Sequence, residues 1–496
     1  MASIENLYWK CLGYIRENLF QILTIYESKN VNLKALFAGF PPTVCESLLR
    51  YMAPDVQPEI ICYFFRTGTK IVDLFSYQHN IPLQGINEIC EGITSMNLAF
   101  SRLSLDNINI LVKHLPNVIV LNLCHTTTTD SILETIGVTC SLLESLNLSD
   151  CAVTDNGLYY LCCESDKKQT KCKNLKVLNA YNTEITARGL FYMLSYHYLW
   201  EVYVDTNILM LAIYEFMCCH FDRQLNLQNL YLMPVTNSLD LEDILSRTWR
   251  LKSLFSYKSQ LIDSDLINVP KFNYLQRLSL SVEKGGKKLT FEGVIQFLSV
   301  SGKKLTELKL NNFEYVNLFL IGLHCSNLQF LSLYSIRHLH FNKKEFTELN
   351  SLFGSLTFLN LYNLRGNPWD DCLLLLFMNC PKLNYLSLSS SSCFTENVIF
   401  ESIPFLNSVK RLHISNCKNI NKDVVHMIID NLPNLKCLSL EFKEGMLSAD
   451  DIKKINDKLK FKTSAIFHHF RNVNENETSE RSVNLEQMKV FFETVF

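Results

Sequence analysis

The chain has 496 residues, 48% of them hydrophobic, and 47 Lys and Arg against 49 Asp and Glu leave a formal net charge of −2. This near-neutral balance offers no basic field to nucleic acid or to an anionic membrane, and neither is an expected partner. The longest apolar runs, residues 208–214 and 373–378, are far short of a bilayer span, and residues 1–18 lack the apolar core of a signal peptide. Eighteen cysteines then read as reduced, core-packing thiols, and a cytoplasmic or nuclear protein is expected.

Taken in chain order, the first element is a predicted helix. Leu7, Cys11 and Ile15 recur at i, i+4 and i+8 and form one apolar stripe, which Leu19 extends. A second helix is expected to start at the prolines of Phe40-Pro41-Pro42, with Val44, Leu48 and Leu49 on a shared face. Residues 1–52 are read as this two-helix block and residues 53–92 as a helical cap or linker.

From Ile93 to Leu440 the phrase Leu-x-x-Leu-x-Leu recurs about every twenty-six residues, in about fourteen copies. Clear copies are Leu143/Leu146/Leu148, Leu328/Leu331/Leu333 and Leu383/Leu386/Leu388; weaker ones include Ile93/Met96/Leu98 and Leu251/Leu254/Ser256. This periodicity predicts an α/β leucine-rich-repeat solenoid over residues 93–442, with a parallel concave sheet and a helical convex side. Each buried leucine contributes roughly 1.5–3 kcal/mol, so a single unit is unstable and neighbours must share a core. Period-two alternation points the residue between the last two leucines toward solvent, Asn122, Asn147 and Asn179 among them. Where a unit reads Cys151-Ala-Val-Thr154-Asp155, either Thr154 or Asp155 can cap the convex helix. A C-terminal helical cap and tail are expected over residues 443–496.

The outward positions turn aromatic mid-chain. Tyr181, Tyr203, Tyr231, Met233, Phe255 and Tyr257 are expected to cluster on the concave face. Such a patch either anchors a protein target or consists of rings stacked on one another. No catalytic group, cofactor or metal is expected. Neither a phosphate-binding glycine loop nor a Gly-x-Ser-x-Gly elbow is present. The groups Cys162/Cys163/Cys172 and Cys218/Cys219/His220 lack a paired Cys-x2-Cys frame.

At its N-terminus the sequence resembles a known family. Leu7-x3-Cys11-x3-Ile15 is similar to the BC box, and Phe40-Pro41-x2-Val44-x3-Leu48 to the cullin 2 box that follows it. Followed by leucine-rich repeats, this VHL-box pair resembles the Zyg-eleven/Zer family of substrate receptors for cullin 2 RING ubiquitin ligases. The resemblance implies that Leu7, Cys11 and Ile15 bind elongin C, which is joined to elongin B. It implies that Phe40, Pro41, Val44 and Leu48 present or support the contact with cullin 2, and that a protein substrate binds elsewhere on a non-enzymatic subunit. Two features depart from the family pattern: Asn6 precedes Leu7, where Ser, Thr or Pro is usual, and the short tail leaves no room for the family's armadillo-like array. The bland alternative is a repeat scaffold whose N-terminal helices only cap the first unit.

Overall fold

Alternating leucines need one wet face and one dry face, and every copy of the phrase folds as a short strand that meets this need. The computed structural model describes residues 14, 15, 18, 21, 39–51, 57, 58, 61, 64, 68–82, 90–162, 172–220, 223–232, 241–248, 250–259, 261–267, 272–282, 289–341, 352–364, 370–391, 393–417, 419–441, 450, 453–455 and 466–469. Contacts group the chain into two compact units, Met1–Leu251 and Lys252–Phe496.

In the first unit, strands Ile71–Asp73, Ser95–Asn97, Val120–Asn122, Ser145–Asn147, Val177–Asn179 and Glu201–Tyr203 pair in parallel and in chain order. Their register aligns Val72, Met96, Leu121, Leu146, Leu178 and Val202 in one buried row. In the second unit a parallel row runs through Leu254, Leu278, Leu308, Leu331, Leu359, Leu386, Leu412 and Leu438. These rows are the core of an α/β leucine-rich-repeat solenoid. Each unit has a strand outside the span of the phrase. Ile71–Asp73 lies where a helical cap or linker was expected, and Ile466–His469 pairs with Cys437–Glu441 inside the expected helical tail.

Beyond each strand the chain turns sharply. The residue two past the last repeat hydrophobic takes a left-handed backbone, as at Asp150 (φ 58°), Asn182 (φ 54°), Asn363 (φ 49°) and Asn416 (φ 51°). Asn, Asp and His, as at His125 (φ 52°), tolerate this region; Phe100 (φ 58°) in the same position does not do so readily. The turn amide donates to the next repeat's carbonyl, for instance Phe100 to Cys124 and His125 to Ser149, both at 2.8 Å. The ladder therefore continues where the strands stop.

The chain next enters helices, among them Asp130–Thr139, Asp155–Cys162, Ala187–Tyr196 and Phe291–Ser301. Thr154 is the cap, its Oγ1 accepting from the Asn156 amide at 3.2 Å. Asp155 instead reaches across to the following repeat, where its carboxylate accepts from the Thr186 amide at 2.8 Å and the Thr186 hydroxyl at 2.6 Å. Asp130 clasps Thr154 in the same way, and Asp263 clasps Thr290. Each clasp joins neighbouring repeats through a charge-assisted pair of hydrogen bonds.

His197, at the end of the Ala187–Tyr196 helix, is 5% exposed and donates from Nε2 to the Leu161 carbonyl at 3.2 Å. Burial holds its pKa below the ordinary 6.5, and the Leu161 hydrogen bond only partly opposes this. Unfolding exposes the ring, which then takes a proton near its ordinary value, so acid favours the unfolded chain. Stability is full above about 6.5 and declines as pH falls below it. Thermal midpoints measured from pH 7.5 to 5 should fall with acid, and fall less steeply in His197→Gln; equal slopes would contradict the buried neutral ring.

Candidate functional site

Two regions of the chain carry candidate contact residues, and the N-terminal one is built on the helix Pro42–Tyr51. Pro42 opens it, where a missing amide proton costs nothing. Its inner face buries Cys45, Leu48 and Leu49, with Leu48 1% exposed. Glu46 Oε1 accepts from the backbone amides of Lys70 at 2.7 Å and Ile71 at 3.2 Å, and Arg50 lies 3.9 Å from Asp73. The helix thus covers the free edge of the first strand, which would otherwise invite foreign pairing. Burial pushes the Asp73 carboxyl upward, against the lowering influence of the Phe75 amide, Arg50 and Asn97.

The predicted cullin-box residues divide across this helix. Pro41 is exposed and Phe40 and Val44 are half-buried, whereas Leu48 packs wholly inside the chain's own core. Leu48 can only support a contact from within. Of the predicted elongin-binding stripe, Ile15 is half-buried in a helical turn beside the exposed Tyr14, while Leu7 and Cys11 lie outside the described residues.

The predicted aromatic patch also divides. In the first unit Tyr181 is 55% exposed. Tyr203 and Tyr231 turn to each other, with ring centroids 5.0 Å apart and hydroxyls 3.3 Å apart. Tyr203 also donates to Glu201 at 2.8 Å. Burial first, then the Tyr231 phenol and the Glu201 carboxylate, raises the Tyr203 pKa far above that of a free phenol. These two rings are therefore committed to a polar network of their own. Met233 lies outside the described residues. In the second unit Phe255 is half-buried under the Arg277 guanidinium at 5.9 Å, and Tyr257 is in strand Ser253–Ser259 with its side chain outside the described residues.

Of the three asparagines expected to face solvent, Asn122 and Asn147 are buried and Asn179 is half-buried. Asn122 is 0% exposed and Asn147 3%. Along the first unit Asn97, Asn122, Asn147 and Asn179 each accept, through Oδ1, the backbone amide two residues on, all at 3.1 Å. This local bond folds the side chain back onto the strand end and forms the turn, an Asx geometry that alternation alone does not reveal.

A second aromatic surface lies on the outward sheet face of the second unit, and sequence reasoning missed its stacked row. Phe330, Phe358 and Tyr385 occupy equivalent positions on adjacent strands. Their rings stack face to face, with centroids 4.1 Å apart at 11° and then 4.2 Å apart at 3°. Lys309 Nζ sits 5.0 Å from the Phe330 ring at one end, and the exposed Arg411 sits 5.5 Å from Tyr385 at the other. Four residues further along the strands, Tyr334 and Tyr362 form a tilted pair, with centroids 5.3 Å apart at 36°. Ser332, Asn360 and Ser387 lie between, and Asn360 donates to Ser332 Oγ at 3.2 Å and Tyr334 Oη at 2.9 Å. The signal was present: Phe330, Ser332 and Tyr334 alternate with Leu331 and Leu333. The same period-two rule, carried one step earlier in each strand, finds the missing rings.

Among the described residues no group of three or more His, Cys, Asp and Glu is placed to hold a metal, and no helix is long and apolar enough to cross a membrane. Burial alone pushes the Cys90, Cys172 and Cys325 thiols up to about 12, so these are unreactive packing groups.

No family model matches the chain, and no curated protein does. Solved structures do. An internalin of Listeria monocytogenes is 14% identical, covering 78% of this chain and 89% of its own, with a TM-score of 0.35. Yeast Rad7, solved in complex with Elc1, is 13% identical, covering 89% and 96%, with a TM-score of 0.43. A leucine-rich-repeat protein of Leptospira interrogans is 16% identical, covering 82% and 96%, with a TM-score of 0.39.

Proposed function

We propose that this chain is the substrate-recognition subunit of an elongin B/C–cullin 2 RING ubiquitin ligase, an adaptor of the Zyg-eleven/Zer type without catalytic residues of its own. The observation that carries the reading is the two-sidedness of helix Pro42–Tyr51. Cys45, Leu48 and Leu49 seal the first repeat, while Phe40, Pro41 and Val44 keep surface on the other side. One helix can therefore close the sheet edge and still offer an apolar ridge to another subunit. The Leu7, Cys11 and Ile15 stripe ahead of it has the spacing an elongin C contact requires. In this role the subunit supplies proximity, raising the effective concentration of target lysines near a conjugating enzyme. Such work belongs in the cytoplasm or nucleus.

One observation favours a second reading, a scaffold with no ligase partner. Glu46 accepts from two amides at the first strand and Arg50 faces Asp73, so the helix has a capping role that needs no partner. Co-expression with elongins B and C and cullin 2 separates the two. Elongins should copurify with the wild type and be lost from Leu7→Ala/Cys11→Asp, a drop of at least about tenfold. Pro41→Ala/Val44→Ser should keep the elongins and lose cullin 2. Failure of the wild type to retain elongins leaves the scaffold reading.

A further inference from the structure

We propose that the outward sheet face of the second unit, between the Phe330–Phe358–Tyr385 stack and the Tyr334–Tyr362 pair, binds an extended acidic segment of a partner protein. This surface needs no elongin, so the inference stands whether or not the ligase reading does.

Width selects the conformation of the guest. Residues 330 and 334 lie on one strand, four positions apart, so the two aromatic rows are separated by roughly 13 Å before their own rings take up space. An α-helix, at about 10–12 Å across, is too wide for what remains. An extended chain, needing about 5 Å, fits. The floor between them is closed, with Ser332 1% and Ser387 6% exposed and the Asn360 amide donating to Ser332 and Tyr334, so a guest rests on the aromatic rims.

Charge selects its composition. Among the described side chains of this face three cations, Arg277, Lys309 and Arg411, stand against one carboxylate, Glu307, although the whole chain is slightly acidic. Glu307 and Lys309 neutralise each other at 2.8 Å, which leaves Arg277 and Arg411 as the unbalanced charges. The stacked rings add to the positive sign. Their negative faces are turned to each other and to the two flanking cations, leaving the positive edges for a visitor. The same geometry disfavours single-stranded RNA, because rings 4.1 and 4.2 Å apart have no open face on which a base could stack.

Fluorescence anisotropy on the full chain tests this, with a labelled peptide of alternating glutamate, phenylalanine and glycine as probe. It should bind the wild type, weaken with added salt, and bind about tenfold more tightly than its lysine-for-glutamate counterpart. Arg411→Glu, a change at an exposed side chain, should weaken it at least about tenfold, and Phe358→Ala comparably. Tyr181→Ala, in the other unit, should leave it unchanged. Equal binding of the acidic and lysine peptides overturns the proposal, as does an unaffected Arg411→Glu. Displacement of the probe by oligouridylate points instead to nucleic acid. A micromolar dimer in sedimentation that Arg411→Glu dissolves points to a second copy of the chain, and either result also overturns it.

Discussion

Gly189→Ala is expected to destabilise the first unit by about 2–4 kcal/mol, although alanine is the better helix former by about 1 kcal/mol. Gly189 lies in the first turn of its helix, where a Cβ would collide with the Asp155 carboxylate and stand 3.1 Å from the Asp155 Cα. That carboxylate cannot yield without releasing the Thr186 amide and hydroxyl it clasps. The substitution therefore incurs overpacking and the loss of two charge-assisted bonds together. Asp155→Ala alone should cost about 1–2 kcal/mol, since the clasp is partly solvated. The double variant should be less damaged than the two single effects added, with a coupling of at least about 1 kcal/mol, because the alanine methyl then enters the space the carboxylate left. Urea titration of the four proteins measures this directly. Simple additivity would mean the carboxylate is not what Gly189 makes room for.

Gly137→Ala is expected to lower stability by about 2 kcal/mol or more, and no side-chain change should rescue it. Here the new methyl would overlap the backbone carbonyl of Tyr160 in the neighbouring helix Asp155–Cys162, with the Leu161 Cα 3.8 Å away. A carboxylate can rotate, whereas a helix carbonyl cannot move without its whole turn, so two helices must part and loosen Leu133, Ile136, Leu158 and Leu161 beneath them. The helix-propensity gain of about 1 kcal/mol is too small to offset this. Thermal unfolding should show the first unit's midpoint lowered by roughly 4 °C or more. Hydrogen exchange should rise first in residues 130–162; an unchanged midpoint would show that the helices are not in the contact described.

Gly189 illustrates what a one-dimensional pattern omits. Thr154-x-x-Gly157, Thr186-x-x-Gly189 and Thr290-x-x-Gly293 recur in the sequence, yet their meaning lies in the aspartate of the preceding repeat, 24 to 31 residues earlier. Cap and clasp look alike in Thr154-Asp155, and only the partner's position tells them apart.

Periodicity by itself determined the repeat fold, the place of the fourteen phrase-bearing strands between Ser95 and Glu441, and the buried row within each. A leucine every second or third residue has one way to leave water, and stacking in register is that way. The tertiary structure alone decided where a ring or an amide on the outward face would go. Tyr203 turned to Tyr231, Asn122 folded onto its own turn, Leu48 sealed an edge, and Phe330, Phe358 and Tyr385 came into one stack. Burial of leucine depends on a residue's own alternation, which is local, whereas the fate of an outward side chain depends on its neighbour one strand away, which the chain reaches only after a full repeat.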